Sequence, residues 1–187
     1  MNLELMGKTA LISGSTKGIG FAIASRLAAE GARVIVNGGS DQSVNSALEQ
    51  VRKAAPEAKV EGFASDLATT TATEALVNRF PAVDILVNNL GSYEPKPFDE
   101  ISDEDWRHVL EVNVLSGVRL SRAYVSGMKQ RNWGRIIFIS SFAVQSLQPS
   151  TVPLCASMAE SFHHVSKRKC SKTGKERQRE IQTIQEQ

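Results

Sequence analysis

The segment Lys8–Ala32, "KTALISGSTKGIGFAIASRLAAEGA", constrains the fold more than any other part of the chain. It opens with a short apolar run that reads as a buried strand, Lys8–Ser13. It closes with a helical pattern that places Ile19, Ile23, Leu27 and Ala28 on one face and stops at Gly31. Between them lies "SGSTKGIG". Gly14 permits a tight turn, while Gly18 and Gly20 let a phosphate and the sheet approach the helix start closely. The start of a helix offers unpaired N–H groups and the positive end of a dipole, so this turn is a candidate cradle for a dinucleotide pyrophosphate. It is not a Walker loop, because Lys17 precedes Gly18 where that motif needs lysine after glycine. A plain turn remains the alternative.

The same alternation continues. "RVIVNG" reads as a second strand, and Asp41 as the cap of a helix that runs to about Ala54. "KVEGFASD" reads as a third strand, Thr69–Phe80 as a helix stopped by Pro81, and "VDILVNN" as a fourth strand, apolar on both faces. Residues 103–130 read as one long helix capped by Ser102, with acids in its first turn and basic residues near its end. "GRIIFISS" is a fifth strand. Strands alternating with helices predict an α/β, three-layer, doubly wound parallel sheet of Rossmann type, order 3-2-1-4-5. Residues 1–165 are expected to form this domain, and 166–187 a flexible basic polar tail with seven Lys/Arg and three Glu.

The net charge of +2 is too small to call for nucleic acid, and a basic tail is usually a solvated segment. Cys155 and Cys170 have no metal or redox spacing and read as free thiols, so no metal is expected. The N-terminus has neither a signal peptide's pattern nor a membrane span's length. We expect a cytoplasmic protein without a membrane partner.

The glycine turn, followed by "NNLG" at Asn88–Gly91 and by "GRIIFISS", resembles the short-chain dehydrogenase/reductase family from about Gly7 to Ser141. The ketoacyl-reductase and sugar-alcohol dehydrogenase branches are the most similar. Leu90 departs from the alanine usual in the second motif. The resemblance implies hydride transfer between a nicotinamide cofactor and a small ketone or alcohol. Gly14, Ser15, Lys17, Gly18, Ile19 and Gly20 would line the pyrophosphate and adenine-ribose side. Asp66 with Leu67 would hold the adenine, Asn88 and Gly91 would lie along the nicotinamide half, and Asn37 would stand near the adenine ribose. Asn113 matches the family's structural and proton-relay asparagine, and Ser141 the serine that hydrogen-bonds the substrate carbonyl. A homo-oligomer through helix 103–130 is also expected. Each residue has a plainer reading: Asp66 as a turn residue, Asn88 and Asn89 as closers of a strand–loop junction, Asn113 as a helix residue, and Ser141 as an ordinary strand-end hydroxyl with Ser140 equally placed.

The second strand ends without the acid that accepts from an NAD ribose hydroxyl; Asn37 and Gly38 stand there instead. Lys17 can pair with a 2′-phosphate, so NADP is favoured over NAD. Lys17 as a solvated loop charge is the alternative.

The family's Tyr-x-Ala-Ser-Lys is replaced by "LCASM". Ala156 and Ser157 fix the register, so Leu154 takes the tyrosine position and Met158 the lysine position. Neither can donate or accept a proton. Residues beyond Met158 contain no apolar β-branched run, so the family's last strands are expected to be lacking. Three readings stay open: a damaged or truncated oxidoreductase, a non-catalytic dinucleotide-binding protein or partner subunit, and a weakly active enzyme using other groups.

Overall fold

The computed structural model describes residues 4–140. Ser141, Leu154, Met158, both cysteines, the 165/166 boundary and the basic tail lie outside the described residues.

Five strands form one sheet: β1 Thr9–Ile12, β2 Arg33–Gly38, β3 Val60–Ala64, β4 Ile85–Asn88 and β5 Arg135–Phe138. All pairings are parallel and the order is β3-β2-β1-β4-β5, as the alternation predicted. The helices are α1 Gly18–Ala29, α2 Asp41–Ala54, α3 Thr70–Arg79, α4 Asp103–Leu110 and α5 Ser116–Gln130.

Strand side chains alternate between faces, so each face of the sheet carries its own core. Ala10, Ile12, Val34, Val36, Ile85 and Val87 pack with Ala24 and Ala28 of α1 and with Val44 and Val51 of α2. The intervening residues Leu11, Ile35 and Leu86 pack with Leu76 of α3 and with Leu120, Tyr124 and Met128 of α5. This is why the strands read as continuous apolar runs: both faces are covered.

Helix α1 departs from the expected face. Ile19 is 63% exposed, and the fully buried positions are Gly20, Ala24 and Ala28. Small residues at these positions allow close approach to the sheet and to the glycine turn. The helix stops at Gly31 as expected. Gly31 adopts φ +88°, its N–H donates to the Ala28 carbonyl, and the Ala32 N–H donates to the Leu27 carbonyl.

Two boundary readings need correction. The cap of α2 is Ser40, whose hydroxyl accepts from the Ser43 N–H; Asp41 is the first helical residue, where its charge still suits the dipole. The single helix expected over 103–130 is two helices joined by a π-helical turn, Glu111–Leu115. Ser102 does cap α4, in a reciprocal box with Asp105. The Lys96 ammonium, followed by the Ser102 amide and hydroxyl, holds the Asp105 carboxyl well below the usual carboxylate range.

Candidate functional site

The chain leaves β1 and β2 in one direction across the sheet and β4 in the other. Order 3-2-1-4-5 therefore opens a crevice outside the carboxyl ends of β1 and β4, the usual ligand position in such sheets. The glycine loop (13–17) and the asparagine loop (88–92) meet in this crevice.

The glycine loop is held from behind. Ser15 is fully buried; its hydroxyl donates to the Ile12 carbonyl (2.7 Å) and accepts from the Asn37 N–H (3.0 Å). Asn37 is 1% exposed. Its Oδ1 accepts from the Gly14 N–H (3.1 Å), and its Nδ2 donates to the carbonyls of Phe63 and Ser65 (3.0 Å each). The structure thus places Asn37 beneath the loop as a strut, not at the ribose face suggested by its position after the second strand. Gly38 follows it, and a Cβ there would lie 2.4 Å from the Thr16 methyl.

The other side of the loop is open. Gly14 and Gly18 have φ of +60° and +59°, a region that favours glycine, and a Cβ on Gly18 would meet nothing within 4 Å. Lys17 occupies the cap position of α1 with no side-chain cap bond. Among the described residues, the amides of Lys17, Gly18, Ile19 and Gly20 have no hydrogen-bond acceptor. No carboxylate of the described residues pairs with Lys17. A helix start with four free amides and an unpaired cation fits a pyrophosphate and a further phosphate.

Asp66 is exposed; its Oδ1 accepts from the Ala68 N–H (3.0 Å) in a local turn. Leu67 is completely buried in the core beside α3 and α5, so only its backbone can reach a ligand. Arg119 ties this turn to the π-helical turn: it donates to the Ala68 carbonyl (2.8 Å) and to Glu111 (2.6 Å).

On the β4 side, Asn88 is buried and donates to the Ser121 hydroxyl (3.2 Å), while its Oδ1 has no partner. The Ser13 hydroxyl accepts from the N–H groups of Asn89 (3.0 Å) and Leu90 (2.9 Å), which stitches the two loops together. Leu90, the departure from the family motif, packs against the core beside α3 and α5. Gly91 leads to Ser92, whose N–H donates to Asn113 Oδ1 (2.7 Å) and whose carbonyl accepts from Asn113 Nδ2 (2.9 Å). Asn113 projects from the π-helical turn, and a cavity of about 200 Å³ beside it is lined by Ser92, Tyr93, Lys96, Trp106 and Val109 among others. The structure therefore joins the glycine and asparagine loops through Ser13 and Asn89 and sets Gly91 beside Asn113, while the Asn88 side chain is buried against Ser121. Sequence reasoning missed Ser13, Ser92 and Arg119. Ser13, next to the end of β1, carried a local signal; Ser92 in its loop and Arg119 within α5 carried none, because their roles depend on distant partners.

A model of the short-chain dehydrogenases matches residues 8–167. The chain belongs to this family. It is 47% identical over 150 residues to the uncharacterized oxidoreductase YvaG of Bacillus subtilis, covering 80% of this chain and 56% of that protein. It is 37% identical over 141 residues to D-beta-hydroxybutyrate dehydrogenase of Cupriavidus necator, covering 73% and 54%. Among solved structures, L-sorbose reductase of Gluconobacter frateurii, in complex with NADPH and L-sorbose, aligns with TM-score 0.70 and 36% identity. That alignment covers 79% of this chain and 57% of the reductase. The chain thus spans little more than half the length of these relatives. Among the described residues no helix is long and apolar enough to cross a membrane.

Proposed function

We propose that this short-chain dehydrogenase chain binds NADP(H) in the crevice between the glycine and asparagine loops, and that its hydride transfer to a small ketone or alcohol is impaired. The observation that carries the reading is the set of free amides at the start of α1, beside the unpaired Lys17. NADPH in the related L-sorbose reductase supports the choice of cofactor. The free amides would take the pyrophosphate and Lys17 the 2′-phosphate. The second carboxylate oxygen of Asp66 and the Leu67 backbone would face the adenine. Asn88 and Gly91 would border the nicotinamide half. When bound, the cofactor supplies the hydride. Asn113 and Ser92 would then border the substrate side, with Ser141 donating to the carbonyl oxygen. Impairment rests on Leu154 and Met158, which leave no proton donor at the positions where the family keeps tyrosine and lysine. A non-catalytic dinucleotide-binding partner subunit is the second reading, favoured by the same two residues.

Calorimetric titration tests the cofactor. NADPH is expected to bind at least tenfold more tightly than NADH. Lys17→Ala is expected to weaken NADPH about tenfold, the usual scale of one charge-assisted contact, and to leave NADH within about twofold. Equal affinities would remove the preference.

Self-association fits the exposed apolar row Trp106, Leu110, Val114 and Val118, spaced four residues apart along α4, the π-helical turn and α5. Sedimentation should show a homo-oligomer that Trp106→Glu converts to monomer. A monomeric parent chain would remove this proposal.

A further inference from the structure

Asn89 has a role that the family resemblance does not assign to it. Its Nδ2 donates to two carbonyls of the glycine loop, those of Ser13 (3.1 Å) and Gly14 (2.9 Å). A primary amide has two N–H donors, and both are used here on backbone oxygens. The peptide groups around Gly14 are thereby turned so that their oxygens face the asparagine loop. The amides of Lys17 to Gly20 are left without an acceptor among the described residues.

The third glycine of the loop belongs to the same arrangement. A Cβ on Gly20 would stand 2.4 Å from Asn89 Nδ2 and 2.6 Å from the Gly14 carbonyl oxygen. Both distances are far inside van der Waals contact. By contrast, a Cβ on Gly18 would meet nothing within 4 Å, so the crowding at Gly20 is not a general property of the loop. Gly20 is small because the Asn89 amide and the carbonyl it holds occupy that space.

We propose that Asn89 is a positioning residue which sets the polarity of the dinucleotide loop, turning its carbonyls away from the pyrophosphate, and that Gly20 is required by Asn89 rather than by the cofactor. The inference rests on the cofactor reading above. It adds a specific expectation: Asn89 acts on the pyrophosphate and not on the adenine end. An unrestrained Gly14 carbonyl facing a pyrophosphate would set a partial negative charge against two formal ones, in a site whose attraction for anions comes from aligned N–H dipoles.

The test compares NADPH with adenosine 2′-monophosphate, which keeps the adenine, ribose and 2′-phosphate and lacks the pyrophosphate. Affinities are measured by calorimetry for NADPH and by ligand-observed NMR titration for the monophosphate. The proteins are the parent chain, Asn89→Ala, Gly20→Ala and the double variant. Asn89→Ala and Gly20→Ala are each expected to weaken NADPH by about tenfold or more, the equivalent of one lost hydrogen bond to a charged group. The monophosphate should stay within about twofold. The double variant should be about as weak as the poorer single variant, because a carbonyl released by Asn89 can turn away from the new methyl. Three results would overturn the proposal: an unchanged NADPH affinity in Asn89→Ala, a parallel loss of the monophosphate as general loosening would give, or single losses that multiply in the double variant. Failure of the parent chain to bind either ligand would instead remove the cofactor reading, and this inference with it. If Asn89→Ala does not fold, Gly20→Ala carries the same two-ligand comparison.

Discussion

Asn37→Ala is expected to cost about 3–5 kcal/mol of stability, because a buried partner left unsatisfied costs roughly 1–3 kcal/mol and the two part-buried ones fall at the low end of about 1 kcal/mol each. Three partners are released at once: the Gly14 N–H and the carbonyls of Phe63 and Ser65. None can be replaced by the neighbouring Ser15, whose hydroxyl is already committed to Ile12 and to the Asn37 backbone. With a side chain 1% exposed, water enters only after the loop moves. The loss would be a large share of the total of about 5–15 kcal/mol that holds an ordinary domain together. Urea denaturation of parent and variant measures it. NADPH affinity should fall as well, because Gly14 loses the bond that fixes its left-handed turn. The outcome separates two roles for Asn37. A ribose ligand would give a variant of nearly normal stability and poor binding. A strut gives a variant that fails in stability first, and that result is the one expected.

Asn37 also shows where sequence reading stops. Its position after an apolar strand marked it as polar and site-proximal, which is correct. Its direction depends on strand parity and register. Asn37 shares a face with Ile35 and lies opposite Phe63 of β3. The first follows from the strand period of two, but the second, and which helices cover that face, cannot be obtained from the spacing of Asn37. The same limit applies to Leu67, which lies next to Asp66 in the chain but sends its side chain into the core. Features written in local chemistry were legible. The Ser102 cap, the Gly31 stop and the five strands follow from residue type and periodicity over a few positions, and the strand order from the alternation of strands with helices behind the glycine turn. The π-helical turn was not legible, because Glu111–Leu115 carries no glycine or proline and continues an unbroken helical pattern. Bonds from distant segments converge on it. Arg119 draws Glu111 toward the loop after β3, and Asn113 is bound to the backbone of Ser92. The loop-to-loop bonds of Ser13 and Asn89 span more than seventy residues and have no local signature.

The chain is expected to reduce ketones at least about a hundredfold below ordinary enzyme rates of ~1–10³ s⁻¹, because general acid–base catalysis typically supplies ~10²–10⁴-fold. The proton must come from a hydroxyl of suitable pKa within reach of the carbonyl. Leu154 offers an alkyl group and Met158 no charge. Neither described tyrosine is suited to replace them. Tyr124 is 2% exposed, donates to the Phe80 carbonyl (3.1 Å), and is pushed up to about 12 by burial. A phenol held neutral in the core beneath α5 cannot exchange its proton with a substrate in the crevice. Tyr93 stands 75% exposed on the loop after Gly91, beside the cavity near Asn113. The assay is NADPH oxidation against a panel of ketones, for the parent chain, Tyr93→Phe, and the double substitution Leu154→Tyr with Met158→Lys. Tyr93→Phe should change nothing. The double substitution should recover less than about tenfold, although it restores both groups. Ile137, Phe138 and Ile139, along the strand that leads to Ser141, are 45%, 52% and 38% exposed. A proton donor helps only where the carbonyl is held in line with it, and loss of that alignment is itself worth orders of magnitude. Ordinary turnover by the parent chain would mean that positions 154 and 158 do not carry the proton. Full recovery in the double variant would mean that they were all the chain lacked.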